Sequence, residues 1–215
     1  HDFASLAWAF GNAGVRQDKL FSDIAQRSIS RMGDFSAQEL VETLHSFTQN
    51  GFFHRGFLLA AAAAMEKLDS SAQQVVAFAS AASCLRPRHH GTRSALAMVL
   101  PRCTSLVGEL SDDDLASAAF AVAACFYMEA PAEQPEAATA ETPPEVCAFV
   151  RSVGGALLRP DGRLRGLADG RLAMIAASLA ASQASEAEDG VCCALAREGL
   201  GRLQSLGGQP LCTLL

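Results

Sequence analysis

Aromatic residues make up only 7% of the 215-residue chain, with one tryptophan and one tyrosine, and β-branched residues are comparatively scarce too. Strands draw on those two classes, so no strand ladder is written here. An apolar run long enough for a bilayer is also lacking. A spanning helix needs roughly 18–20 residues without charge. The longest uncharged stretch, 70–85, has 16; 115–128 has 14 and is flanked by Asp112, Asp113, Asp114 and Glu129. No membrane span is expected; a buried helix explains the stretch. There is no Gly-rich phosphate loop, no nucleophile elbow and no paired-carboxylate arrangement. The chain therefore reads as non-enzymatic, without catalytic residues, cofactor or small-molecule substrate. An excess of positive charge, the usual footprint of nucleic-acid binding, is missing as well: the net charge is −6.

What is present is alanine, in runs such as 60–64 and 116–124. Alanine is the best helix former, and its small side chain lets helices approach closely. Half the residues are hydrophobic and 19% charged, a balance that excludes global disorder. Seven cysteines, an odd number, lie mostly in apolar helical stretches, and are expected to be small buried hydrophobes in a reducing compartment. The chain opens on His1, not Met, directly in apolar helical pattern. That is expected of a processed chain or an interior fragment, from which any targeting peptide is already gone.

An internal repeat organises the sequence. Residues 3–14 read FASLAWAFGNAG, and 40–51 read LVETLHSFTQNG, placing Phe10 on Phe47 and Gly14 on Gly51. Further copies begin SSAQQVV at Ser70, LSDDDLASAAFAVAA at Leu110 and LADGRLAMIAASLAA at Leu167. Their first core positions are Phe3, Leu40, Val75, Leu115 and Leu172, spaced by 37, 35, 40 and 57. The last interval contains 129–146, EAPAEQPEAATAETPPEV, with four prolines, five glutamates and no basic residue. It cannot bury a core and reads as a solvated, disordered insertion. Without its 18 residues the spacing becomes 39, and the repeat body carries −1.

Each unit parses as two helices. Ser36 with Glu39 and Ser71 with Gln74 are capping boxes. Ser111 and the three aspartates after it start a further helix and suit its dipole. Gly14 and Gly51 stand where a first helix should stop. The second helices fall at about 17–31, 54–68, 92–108, 144–158 and 187–206, with Pro101 expected to kink or divide the third. The sequence thus predicts an all-α fold: an α-solenoid of about five helix-turn-helix repeats, period 35–40, filling 1–215 as a single domain. Its units are about 1–34, 35–69, 70–109, 110–166 and 167–215. Neither end resembles a polar cap, so the stack is expected to continue or to have its ends covered by a partner.

The pattern of 3–21, FASLAWAFGNAGVRQDKLF, is similar to the degenerate helical repeats of organellar proteins in algae, dinoflagellates and apicomplexans: the octotricopeptide, heptatricopeptide and RAP-associated, FAST-kinase-like repeats. The resemblance rests on Leu6-Ala7-Trp8-Ala9-Phe10, Gly14 and Leu20-Phe21, and again on Leu44-His45-Ser46-Phe47, Gly51 and Leu58-Leu59. It is a spacing match alone after Leu110, and no RAP domain follows. The resemblance implies a mitochondrial or plastid location. It implies organellar RNA as partner, in transcript processing, translation or a ribosome.

Two basic clusters are the candidate RNA- or partner-binding residues: Arg86, Arg88, His89, His90 and Arg93 in the turn of the third unit, and Arg159, Arg163, Arg165 and Arg171 leading into the fifth. Each could hold a phosphate or an acidic protein patch; charge on an exposed turn is the plainer explanation. The resemblance favours the RNA-associated reading, with a protein scaffold in a large complex as the alternative. Arginines aligned along one concave face would support RNA; arginines that scatter or pair with Asp and Glu would support the scaffold. Cys84, His89, His90 and Cys103 fit no zinc-finger spacing, so no metal site is expected. Trp8, on an apolar helical stripe, and the vicinal Cys192-Cys193 are expected in the core.

Overall fold

A computed structural model of the chain describes residues 2–13, 17–85, 89–127, 142–158, 163–181 and 189–202. Helices start where side chains can satisfy the first free N–H groups. The Ser36 hydroxyl accepts from the Glu39 main chain, and the Glu39 carboxylate accepts from the Ser36 N–H at 2.9 Å. Ser71 and Gln74 form the same reciprocal pair. Ser111 accepts from the Asp114 N–H at 3.1 Å. One cap that the sequence reading missed is His54, whose imidazole accepts from the Phe57 N–H at 3.1 Å.

The resulting order is α1 (Asp2–Asn12), α2 (Asp18–Ser30), a 3-10 turn (Met32–Asp34), α3 (Ala37–Gln49), α4 (Arg55–Lys67), α5 (Ala72–Leu85), α6 (His90–Leu106), α7 (Asp112–Phe126), α8 (Pro144–Leu157), α9 (Arg163–Gly166), α10 (Asp169–Ala181) and α11 (Asp189–Gly201). All the described regular structure is helical, as the alanine-rich, strand-poor sequence predicts. Helix α6 runs undivided through Pro101. Helix α8 opens on Pro144, a position that needs no N–H donor, and buries Val146. The last three residues of the acidic stretch therefore belong to α8; residues 128–141 lie outside the described residues.

The chain divides into two compact units, His1–Arg102 and Cys103–Leu215. In the first, α1, α3 and α5 pack in sequence, with α2 and α4 forming a second layer. In the second, α7 packs on α10, while α8 and α11 contact them from the other layer. The repeat register is visible in the burial. Leu40, Leu115 and Leu172 are fully buried and Val75 nearly so; each such side chain contributes about 1.5–3 kcal/mol by leaving water. Phe3 lies outside the residues whose side chains are described.

Helix α3 ends as its glycine predicts. Gly51 has φ +63°, its N–H donates to the Thr48 carbonyl, and the Phe52 N–H donates to the Phe47 carbonyl. That pair of bonds is a Schellman motif, and its apolar contact is Phe47 against Phe52, centroids 5.1 Å apart. Gly14 lies outside the described residues.

The Ser36–Glu39 box also carries a pH dependence. The Ser36 main-chain N–H, then its hydroxyl, donate to the Glu39 carboxylate and hold its pKa below the ordinary 4.5. A depressed carboxylate stabilises the fold above the unfolded pKa and loses that contribution as pH falls through the folded value. Ser36→Ala should cost about 1 kcal/mol at neutral pH. In urea titrations the gap from wild type should narrow below pH 4.5. A gap independent of pH would rule out the carboxylate's part.

Candidate interaction surfaces

The first basic cluster is in part structural. His89 Nδ1 accepts the Gly91 N–H at 3.0 Å, its carbonyl accepts from Thr92 and Arg93, and its ring meets Phe53 edge-on at 4.6 Å. It therefore caps α6. His90 is exposed and Arg93 half-buried; Arg86 and Arg88 lie outside the described residues.

Two arginines of the second cluster, Arg163 and Arg171, are held by acidic partners. Arg163 Nε donates to Asp112 at 3.0 Å and its guanidinium also reaches the Leu110 carbonyl. Arg171 donates to Asp113. The three aspartates at the start of α7 thus do two jobs. Asp114 closes the cap with Ser111, while Asp112 and Asp113 anchor the α9–α10 region. Arg165 is exposed, and Arg159 lies outside the described residues. Arg202, which sequence reasoning passed over, binds Glu198, Asp169 and the carbonyls of Leu164, Arg165 and Leu167. Only its i,i+4 spacing to Glu198 was visible in the sequence.

Two expectations about the core are corrected. Trp8 is 55% exposed and Leu6 44%. The stripe that α1 buries is Ala4, Ala7 and Gly11, at helical spacing; Trp8 lies one residue, about 100°, away from it. Cysteines were expected to be buried, but Cys84, Cys192 and Cys193 are exposed and Cys147 is half-buried. On α11 the inward positions go to Val191 and Leu195, which leaves the vicinal pair facing outward. Cys212 lies outside the described residues.

Cys103 and Cys125 are buried as expected. Burial pushes the Cys103 thiol up to about 12, so it stays protonated and is a poor nucleophile. Among the described residues no three His, Cys, Asp or Glu side chains converge where a metal ion could sit. A maleimide at pH 8 should modify Cys84 and Cys193 in the folded protein, and Cys103 only after denaturation. Reaction of Cys103 at a comparable rate in the native state would contradict its burial.

Read in the repeat register, the residue five after the first core position is Trp8, His45, Ser80, Phe120 and Ala177. Trp8, His45 and Phe120 are all exposed. Helices α1 and α7, which carry the tryptophan and the phenylalanine, contain no lysine or arginine. The second unit also holds a small apolar crevice between α7, α8 and α10, lined by Val122, Phe149, Val153 and Leu179. The Ser178 hydroxyl at its wall donates to the Met174 carbonyl.

No family model and no curated protein matches this chain. Among the described residues no helix is long and apolar enough to cross a membrane.

Proposed function

We propose that the chain is a non-enzymatic helical-repeat scaffold in which each unit binds protein through an exposed first-helix aromatic, as an accessory subunit of a larger organellar assembly. The observation that carries this reading is the recurrence of exposed aromatic residues, Trp8 and Phe120, at one repeat position on helices without a basic residue. A tryptophan presented from a rigid helix supplies the large apolar anchor typical of interface hot spots. Aromatic platforms for RNA bases, in contrast, work beside cations that neutralise the phosphates. Here Arg163 and Arg171 are engaged by Asp112 and Asp113.

The organelle, mitochondrion or plastid, is taken from the repeat resemblance, which also carries the competing RNA-associated reading. Crosslinking of the native protein in organelle extract, with RNA and protein adducts read from one sample, separates the two. Protein crosslinks adjoining Trp8 and Phe120, lost in Trp8→Ala and Phe120→Ala, are the expected result. RNA adducts at His89–Arg93 or Arg163–Arg171 would overturn the scaffold reading in favour of RNA association.

A further inference from the structure

Fourteen residues after the first core position of the first three repeats stand Gln17, His54 and His89. Each directly precedes a second-layer helix: α2, α4 or α6. Gln17 makes no side-chain cap. The two histidines do: His54 Nδ1 accepts the Phe57 N–H at 3.1 Å, and His89 Nδ1 accepts the Gly91 N–H at 3.0 Å. Both bonds need a bare Nδ1, with the ring proton on Nε2. A second proton turns that acceptor into a donor, and sets a positive charge at the positive end of the helix dipole. Serine and asparagine, the usual caps, do not titrate; histidine does so between about pH 5 and 8.

The two caps are also joined. Phe53, beside His54 in sequence, meets the His89 ring edge-on at 4.6 Å. On the other side of His54, the Arg55 stem lies across the first turn of α6, where a Cβ on Gly91 would stand 2.9 Å from Arg55 Cγ. The segment that carries one cap thus grips the other.

The first turns of α4 and α6 contain no acidic residue. Among the described residues, the charged groups beside the two rings in sequence are Arg55, His90 and Arg93. Helix α2 meets the start of α4 through Ile29, which would stand 3.4 Å from a Cβ on Gly56. The charges flanking Ile29 are Arg27 and the Arg31–Asp34 pair, closed at 2.8 Å. Asp18, Lys19 and Asp23 lie in the first half of α2, and Glu66 and Lys67 at the far end of α4. On α3, Glu39 and Glu42 are bound to Ser36 and Gln38, and His45 is exposed. Helix α5 offers Cys84 alone.

We propose that His54 and His89 form a proton-sensitive clasp in the first compact unit: unprotonated they start α4 and α6, and protonated they release both starts together. In the histidine range the clasped chain binds fewer protons than the unfolded one, so stability falls as pH drops. That window lies above the one in which the Glu39 carboxylate acts. The clasp stands independently of the scaffold reading.

Urea denaturation of the purified 215-residue chain from about pH 8 to about pH 5.5, followed by circular dichroism, tests this. The folding equilibrium constant of wild type should fall roughly tenfold or more, as expected for the loss of two caps. His54→Asn combined with His89→Asn supplies amide oxygens that accept without titrating, and should reduce that fall to roughly twofold or less. His45→Asn, at an exposed site on α3, should leave the wild-type fall intact. Nitrogen NMR of wild type reads the same device without any substitution. Both imidazoles should be bare at Nδ1 at neutral pH, and the Phe57 and Gly91 amide signals should move with them as they take up protons. Wild-type stability that is flat across the range would overturn the proposal, as would a fall that persists in the double variant. So would Phe57 and Gly91 amides indifferent to the state of the imidazoles.

Discussion

Replacing Phe47 by alanine should cost the first unit about 3–5 kcal/mol, the usual range for emptying a buried aromatic site. Phe47 is 1% exposed and its ring meets three others, with centroids 5.7 Å from Phe21, 5.1 Å from Phe52 and 4.9 Å from Phe57. Those rings come from α2, from the turn after α3 and from α4, so one side chain ties both layers to the Schellman turn. The loss combines transfer of the ring to water, the residual cavity and the edge-to-face pairs, each pair worth about 0.5–1.5 kcal/mol. The comparison with Phe10 makes the test specific. Phe10 holds the same repeat position in α1 but is only half-buried, so Phe10→Ala should cost about 1–2 kcal/mol. Urea denaturation followed by circular dichroism reads both. Equal losses for the two variants would mean that repeat position, and not local ring packing, sets the energetics.

The fold was legible because its signals are local. A serine with a glutamate or glutamine three residues on, a glycine where φ must turn positive, and apolar anchors 35–40 residues apart each report on a few neighbouring residues. The observed second helices start within two residues of their expected positions. Faces were not legible, and alanine is the reason. In α1 nearly every position from Phe3 to Phe10 is apolar, so the pattern does not say which 100° of the helix turns inward. The pattern therefore puts Trp8 in a core that is filled by Ala4, Ala7 and Gly11. The same ambiguity misplaced Cys192 and Cys193. The pairing of Arg163 and Arg171 was not legible for a different reason: their partners are remote in sequence. Arg163 finds Asp112 across 51 residues and Arg171 finds Asp113 across 58, through packing of α7 on α10. No residue count within one repeat could reveal that the arginines would be neutralised by the acidic cap of another.

Arg202 shows how much such a long-range arginine can hold. Arg202→Ala should destabilise the second unit by roughly 2–4 kcal/mol, because it strips partners from several acceptors at once. The guanidinium at the end of α11 is 17% exposed and reaches Glu198 at 2.7 Å, Asp169 at 3.3 Å and the Leu164 carbonyl at 3.3 Å, together with the carbonyls of Leu167 and Arg165. Those carbonyls belong to the α9–α10 connection, where no continuous helix supplies N–H donors to them. A planar fork with five donors can serve acceptors in several directions. Lysine keeps the charge but not the fork, so Arg202→Lys should recover less than half of the loss. Arg31 provides the contrast: its pair with Asp34 is about 60% exposed on both sides, and Arg31→Ala should cost no more than about 1 kcal/mol. Chemical denaturation of the three variants gives the ordering directly. A loss for Arg202→Ala no larger than for Arg31→Ala would mean that water satisfies the α9–α10 carbonyls as well as the guanidinium does. Arg202 would then be a surface residue at a helix end, and no clasp.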